Sequence, residues 1–227
     1  MNVAENLQRV QQRIQLAAAR YQRPEKSIQL LAVSKRQDIA KIRQAYDYGQ
    51  RLFGESYVSE ALSKQQQLLE LDIEWHFIGP IQSNKTRDIA NHFNWVHSID
   101  RLKVLRRISD QRSADLPPLN YCLQVKLGDE QNKSGIDTSE LSSILDAAAG
   151  LQQLRLRGLM CIPPPSNSFE QQRSWFIQLK DLFKKLQNDG YTMDTLSMGM
   201  SADLEAAIAE QATMVRIGTD IFGKRTT

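Results

Sequence analysis

Lys35 stands where a buried strand should leave its core, a position in which an ammonium group can do chemistry that a solvated surface lysine cannot. It closes the segment IQLLAVSK (28–35), whose first six residues include five apolar ones. A run this apolar has the pattern of a strand covered on both faces in a parallel sheet. Desolvation weakens a lysine's hold on its proton and frees the nitrogen lone pair for attack on a carbonyl. Two other stretches could hold an anion. LSMGMSADLEAA (196–207) runs from a strand through Gly199 into Ser201, with Asp203 and Glu205 following. Ser201 is expected to cap the next helix, and free amides at such a turn bind phosphate without a cation. VRIGTDIFG (215–223) offers a second turn, with Gly218 and Thr219 at the end of the last strand and Arg216 just before them.

Competing chemistries have weaker support. GPIQSNKT (79–86) resembles a phosphate loop, but Asn84 replaces the second glycine and Pro80 removes a backbone donor. Ser83 and Asn84 are expected to cap the helix after it. The histidines, His76, His92 and His97, form no i,i+4 pair and have no cysteines at zinc spacing. No G-x-S-x-G elbow is present. The triplet Asn132-Lys133-Ser134 matches a glycosylation acceptor but lacks the secreted context that would give it meaning.

The elements that must position Lys35 and the two turns can be read from periodicity. An amphipathic helix over 3–21 opens the chain, with Val3, Leu7, Val10 and Ile14 on one face. Short apolar runs follow at 28–34, 51–55, 74–79, 94–100, 120–127, 154–162, 195–200 and 213–223. Helical patterns near 38–48, 56–71, 84–92, 101–113, 138–149, 169–188 and 202–210 separate them. This alternation predicts an α/β fold with a parallel sheet, as a single (β/α)8 TIM barrel with an extra N-terminal helix; an open doubly wound sheet is the alternative. With 227 residues, 41% of them hydrophobic, and no linker or repeat, one domain over 1–227 is expected. In a barrel, chemistry sits beyond the strand C-termini, and the seventh and eighth loops often bind phosphate. Lys35, Glu55, Ser56, Ser201, Arg216, Gly218 and Thr219 all fall on that rim. A lysine and a phosphate cradle on one rim are what pyridoxal phosphate (PLP) requires, an amine for its aldehyde and anchorage for its phosphate.

Composition narrows the setting. The 29 basic and 26 acidic residues give a net charge of +3 without a basic block, against nucleic-acid binding. The two cysteines, Cys122 and Cys161, lie in apolar runs and read as buried free thiols of a reducing compartment. The N-terminus has no signal-peptide core and no later run spans a membrane, so a cytoplasmic location is expected.

The stretches LLAVSK, FGESYVSE, WHFIGPIQSNK, NKSGI, RGLMCIPPP, SMGMSADLEAAI and TMVRIGTDIFG together resemble the pyridoxal-phosphate homeostasis proteins, which are related to the N-terminal barrel domain of alanine racemase. The resemblance spans about residues 5–225. It implies that Lys35 holds PLP covalently as a lysine aldimine, and that Ser201, Gly218 and Thr219, beside Met198 and Gly199, bind the phosphate. Arg216 would face the pyridine nitrogen, with Ser56 and His76 near the cofactor. Ser56 stands where the family usually has asparagine, and Lys126 and Gly128 replace the common asparagine and serine before NKSGI. Lys133 is a candidate second contact. The implied role is to hold and supply PLP within vitamin B6 homeostasis, with little or no turnover, as a monomer, with PLP-dependent enzymes as clients. With the sequence ending at Thr227, the β-rich domain from which racemases draw their second base is not expected. A PLP-dependent amino-acid racemase is the alternative, favoured if Tyr57 or His76 faces the aldimine.

Overall fold

The computed structural model describes residues 2–128 and 134–223. The chain opens with α1 (Val3–Arg20), whose first turn is capped by the Asn2 side chain accepting from the Ala4 amide (3.0 Å). Strands and helices then alternate: β1 (Gln29–Val33), α2 (Ile39–Asp47), β2 (Leu52–Glu55), α3 (Val58–Gln67), β3 (Glu74–Phe77), α4 (Thr86–His92), β4 (Trp95–Ile99) and α5 (Leu102–Gln111). The second half continues with β5 (Leu119–Gln124), α6 (Leu141–Ala148), β6 (Leu154–Met160), α7 (Phe169–Asn188), β7 (Thr195–Ser197), α8 (Leu204–Ala209), β8 (Met214–Ile217) and α9 (Thr219–Phe222). The strands close in sequence order into a parallel barrel, with β8 hydrogen-bonded back to β1. The fold is thus the TIM-type barrel with an added N-terminal helix, and the doubly wound alternative is set aside.

Three local expectations are corrected. The run 213–223 is a strand and a helix rather than one element: β8 ends before Gly218, and Ile221 and Phe222 bury themselves from α9. Ser201 does not cap a helix. Residues 201–203 form a turn, Asp203 immediately precedes α8, and its Oδ1 accepts from the Met200 amide (2.5 Å). Nor do Ser83 and Asn84 cap α4; they lie in a 3-10 turn, where the Thr86 hydroxyl donates to the Ser83 carbonyl (3.0 Å).

The molecule has two unlike interiors. Between barrel wall and helices lies a continuous apolar layer that includes Leu7, Val10, Ile42, Phe53, Ile89, Leu105, Phe176 and Ile208. The buried face of α1 joins it, packing on α8 and α9. Inside the barrel, where branched aliphatic side chains usually fill the layers, His76, His97, Ser197 and Arg216 are buried together. Trp95, Cys122 and Met160 form a small apolar cluster separate from the main core. Period-two alternation in β3 and β4 sends His76 and His97 inward, and Phe77 and Val96 into the outer layer.

Candidate functional site

Lys35 lies half-buried in a turn one residue past Ser34, between neighbours that are held firmly. The Ser34 amide donates to the Gly54 carbonyl (3.0 Å) and its hydroxyl to Glu55 Oε1 (2.6 Å). Lys64 Nζ donates to the Ser34 carbonyl (2.8 Å), to Glu55 Oε1 (2.8 Å) and to Glu60 Oε1 (2.6 Å). On the other side, Arg36 takes the left-handed conformation (φ 56°) and its amide donates to Glu60 Oε1 (2.6 Å). Both peptide units flanking Lys35 are therefore tied to α3. Glu55 is fully buried, and its Oε2 has no hydrogen-bond partner among the described residues. Burial pushes this carboxyl above its ordinary range, against the pull of Lys64.

The two anion-competent turns meet beside Lys35 because β7, β8 and β1 are neighbours. The Arg216 amide donates to the Gly199 carbonyl (2.9 Å), and a Cβ on Gly218 would lie 3.1 Å from the Val33 carbonyl oxygen. Gly199 itself has φ +95°, and a Cβ there would stand 2.5 Å from that of Ala207, so only glycine lets this turn close over α8. Among the described residues, the amides of Ser201, Ala202, Gly218 and Thr219 donate to no acceptor. With the hydroxyls of Ser201 and Thr219 they form a set of neutral donors suited to a phosphate group. One guanidinium on α1 binds the turns to each other: Arg13 donates to the Ser201 carbonyl (3.0 Å), Glu205 Oε1 (3.0 Å) and Asp220 Oδ2 (2.7 Å).

Arg216 is 4% exposed and points into the barrel. Its Nη1 donates to the Ser197 carbonyl (2.5 Å) and hydroxyl (2.9 Å), and its Nη2 to the Cys161 carbonyl (2.8 Å). These fix the plane of the guanidinium, and burial lowers its pKa from the ordinary value.

Three residues expected near the cofactor, His76, Met198 and Ser56, lie buried. His76 is fully buried inside the barrel, with Nδ1 on His97 Nε2 (2.8 Å) and Nε2 on Glu74 Oε1 (2.8 Å), so neither nitrogen is left for a ligand. Met198 is fully buried in the main core, so its side chain is a packing group rather than a rim group. Ser56 is buried where Gly79 crosses it, a Cβ on Gly79 falling 2.2 Å from the Ser56 carbonyl oxygen. It lines a cavity of about 240 Å³ with Tyr57, Phe77, Pro80, Gln82 and Lys85. Lys133 lies outside the described residues. Among those described, no group of three His, Cys, Asp or Glu side chains could hold a metal ion, and no helix is long and apolar enough to cross a membrane.

Several site residues escaped sequence reasoning. The Lys64–Glu60 i,i+4 pair was a visible signal, though of a surface pair rather than a buried one. Arg13 offered no signal, because a polar helix position says nothing about what the helix crosses.

The profile of the alanine racemase N-terminal domain matches residues 5–226. The chain is 53% identical to the pyridoxal phosphate homeostasis protein of Pseudomonas aeruginosa, over 98% of this chain and 96% of that one. It is 49% identical to the Escherichia coli K12 protein of the same name, over 99% and 97%. PipY of Synechococcus elongatus, solved with PLP bound, superposes with a TM-score of 0.84 at 39% identity, covering 97% of this chain and 100% of that one. An alanine racemase of Clostridium difficile shares the fold at 15% identity and TM-score 0.77, across 57% of its own chain.

Proposed function

The chain belongs to the pyridoxal phosphate homeostasis protein family, on the barrel of the alanine racemase N-terminal domain, and from that premise we propose that it binds PLP covalently through Lys35 Nζ and supplies it within the B6 pool without appreciable turnover. One observation carries the reading. Lys35, on a turn tied down on both sides, shares a rim with two turns of unsatisfied donors, and Arg216 lies pinned beneath them.

When bound, PLP supplies a reactive aldehyde carbon and an electron-withdrawing pyridine ring. The chain's own groups determine how much of that chemistry is used. Ser201, Thr219 and the amides of the two turns hold the phosphate, and Arg13 keeps the turns in register. Arg216 can only donate, so it suits an unprotonated ring nitrogen and opposes a pyridinium beside its own charge. That weakens the ring as an electron sink. His76, the histidine that could have acted as a base at the rim, is committed to His97 and Glu74. Tyr57 is 46% exposed and lies under the Arg36 guanidinium, 5.3 Å from its ring centroid. Both features favour a carrier over a racemase.

The test is to load the purified protein with PLP, reduce it with borohydride, and locate the modified lysine by peptide mass spectrometry. Modification at Lys35, lost in Lys35→Ala, is expected. Modification that persists in the variant at Lys64 or Lys133 would overturn the assignment. Racemisation of L- or D-alanine at ordinary enzymic rates, about 1 s⁻¹ or more, would favour the enzyme.

A further inference from the structure

A row of hydrogen-bonded groups crosses the barrel interior from its lower mouth to Arg216. Glu74, the first residue of β3, is 43% exposed at the N-terminal end of the strands. Its Oε1 meets His76 Nε2 (2.8 Å), His76 Nδ1 meets His97 Nε2 (2.8 Å), and His97 Nδ1 meets the Ser197 hydroxyl (2.8 Å). That hydroxyl accepts from Arg216 Nη1 (2.9 Å). Both imidazoles and Ser197 are fully buried.

Counting protons fixes the direction of every bond. Arg216 has only donors, so Ser197 Oγ accepts from it and has its single proton to give. Giving that proton to His97 Nδ1 leaves His97 protonated on Nε2, which donates to His76 Nδ1. His76 is then protonated on Nε2 and donates to the Glu74 carboxylate, an acceptor only. Reversing the row would set the His76 Nε2 lone pair against that carboxylate. Each bond therefore runs from cation to anion, with both rings neutral and every buried polar atom of the row satisfied. Charges around it agree. The His76 hydrogen bond, the Trp95 indole and Arg157 hold the Glu74 carboxyl below its usual range, burial opposing. Burial lowers the pKa of His76, and that of His97 well below its ordinary value, with His76 and Arg216 adding to the second effect. Trp95 stacks on His76 (5.4 Å between centroids, 11° between planes), Arg157 covers the other part of the mouth at 4.5 Å from the Trp95 ring, and Asp194 pairs with Arg157. Burial pushes the neighbouring Cys122 thiol up to about 12, so it remains neutral.

We propose that Glu74, His76, His97 and Ser197 are positioning residues, a tautomer-locked row by which a carboxylate at the lower mouth of the barrel fixes the Ser197 hydroxyl and so aims the Arg216 guanidinium. Its relevance to PLP rests on the proposed function; the row itself belongs to the ligand-free protein.

Long-range ¹H–¹⁵N NMR of the ligand-free protein reads the tautomers directly. His76 and His97 are expected to be neutral and protonated on Nε2 at pH 7 and still so at pH 6, below the ordinary histidine value. A cationic ring at pH 7, or an Nδ1–H tautomer at His97, would overturn the row without any variant. Glu74→Gln retains an acceptor for His76 and should leave the ¹⁵N shifts of His97 and the Arg216 side chain as they are. Glu74→Leu removes the acceptor and should move both; unmoved signals in a folded Glu74→Leu protein would mean the row does not transmit. With PLP added, Glu74→Leu should weaken retention by about tenfold, the loss of one charge-assisted hydrogen bond, and shift the absorbance of the bound cofactor. Glu74→Gln should behave as the parent. If the parent protein binds no PLP, the proposed function fails while the ligand-free spectra still decide the row.

Discussion

Glu55 closes β2 yet is fully buried. Ser34 and Lys64 share its Oε1 while Oε2 has no partner among the described residues, and a neutral carboxyl tolerates that burial better than an anion. Its folded pKa lies above the unfolded value near 4.5, so the folded state binds more protons between the two. The stability this contributes is complete below the unfolded value and is lost as pH rises through the folded one. Glu55→Gln, which mimics the protonated acid, should flatten the decline; urea unfolding midpoints across pH 4–8 (roughly, the range bracketing a raised carboxyl pKa) check it. An unchanged slope would locate the titration elsewhere. At Ser201, alanine removes a hydroxyl but leaves the turn's amides. Ser201→Ala should therefore weaken PLP retention only about threefold to tenfold, and PLP should bind far better than pyridoxal. Equal affinity for pyridoxal and its phosphate, measured by equilibrium dialysis, would remove the case for the cradle.

At the scale of elements, the phosphate turns depend on α1 and on one glycine. Arg13 is partly exposed, so its ion pairs to Glu205 and Asp220 are worth little after screening, about 1 kcal/mol together. Its geometric effect is larger, since a single guanidinium ties the 201 turn to α9. Arg13→Ala should lower the melting temperature by only a few degrees, roughly as 1 kcal/mol does in a domain this size, yet reduce PLP affinity in calorimetric titration. A large stability loss with unchanged affinity would contradict this division. Gly199→Ala is predicted to do more. It combines a positive φ with a 2.5 Å approach to Ala207, so a loss of about 2–4 kcal/mol is expected in chemical denaturation.

For the whole molecule, closure of the barrel protects its thiols. Cys122 and Cys161 are fully buried, and burial pushes each up to about 12, so neither is reactive in the native state. Labelling by a thiol-disulfide reagent should follow global opening of the barrel. PLP at a hundred times its dissociation constant should then slow labelling by about a hundredfold, by mass action on the native state. Rapid labelling indifferent to PLP would show that β5 or β6 opens locally. The same closure accounts for the polar interior: residues far apart in sequence satisfy one another inside the ring of strands, with no water needed for their hydrogen bonds.

What the amino-acid order determined was whatever is written in short-range pattern. Apolar runs of strand length alternating with helical periods specify the barrel, because burial of a strand on both faces and of a helix on one imposes those periods locally. The rim followed from it, since a residue just past a strand has nowhere else to stand; hence Lys35, Gly218 and Thr219 were legible. Which way an inward side chain reaches, and what meets it, was decided only by tertiary closure. His76 reads only as a neighbour of the cofactor; β3, β4 and β7 place it beside His97, 21 residues on, and link that to Ser197, 100 residues further. Ser201 reads as a helix cap until Asp203 takes the Met200 amide and Arg13, 188 residues earlier, takes the Ser201 carbonyl. Hydrogen bonds are short and directional, so partners this distant in sequence leave no periodic trace and come into being only when the barrel closes.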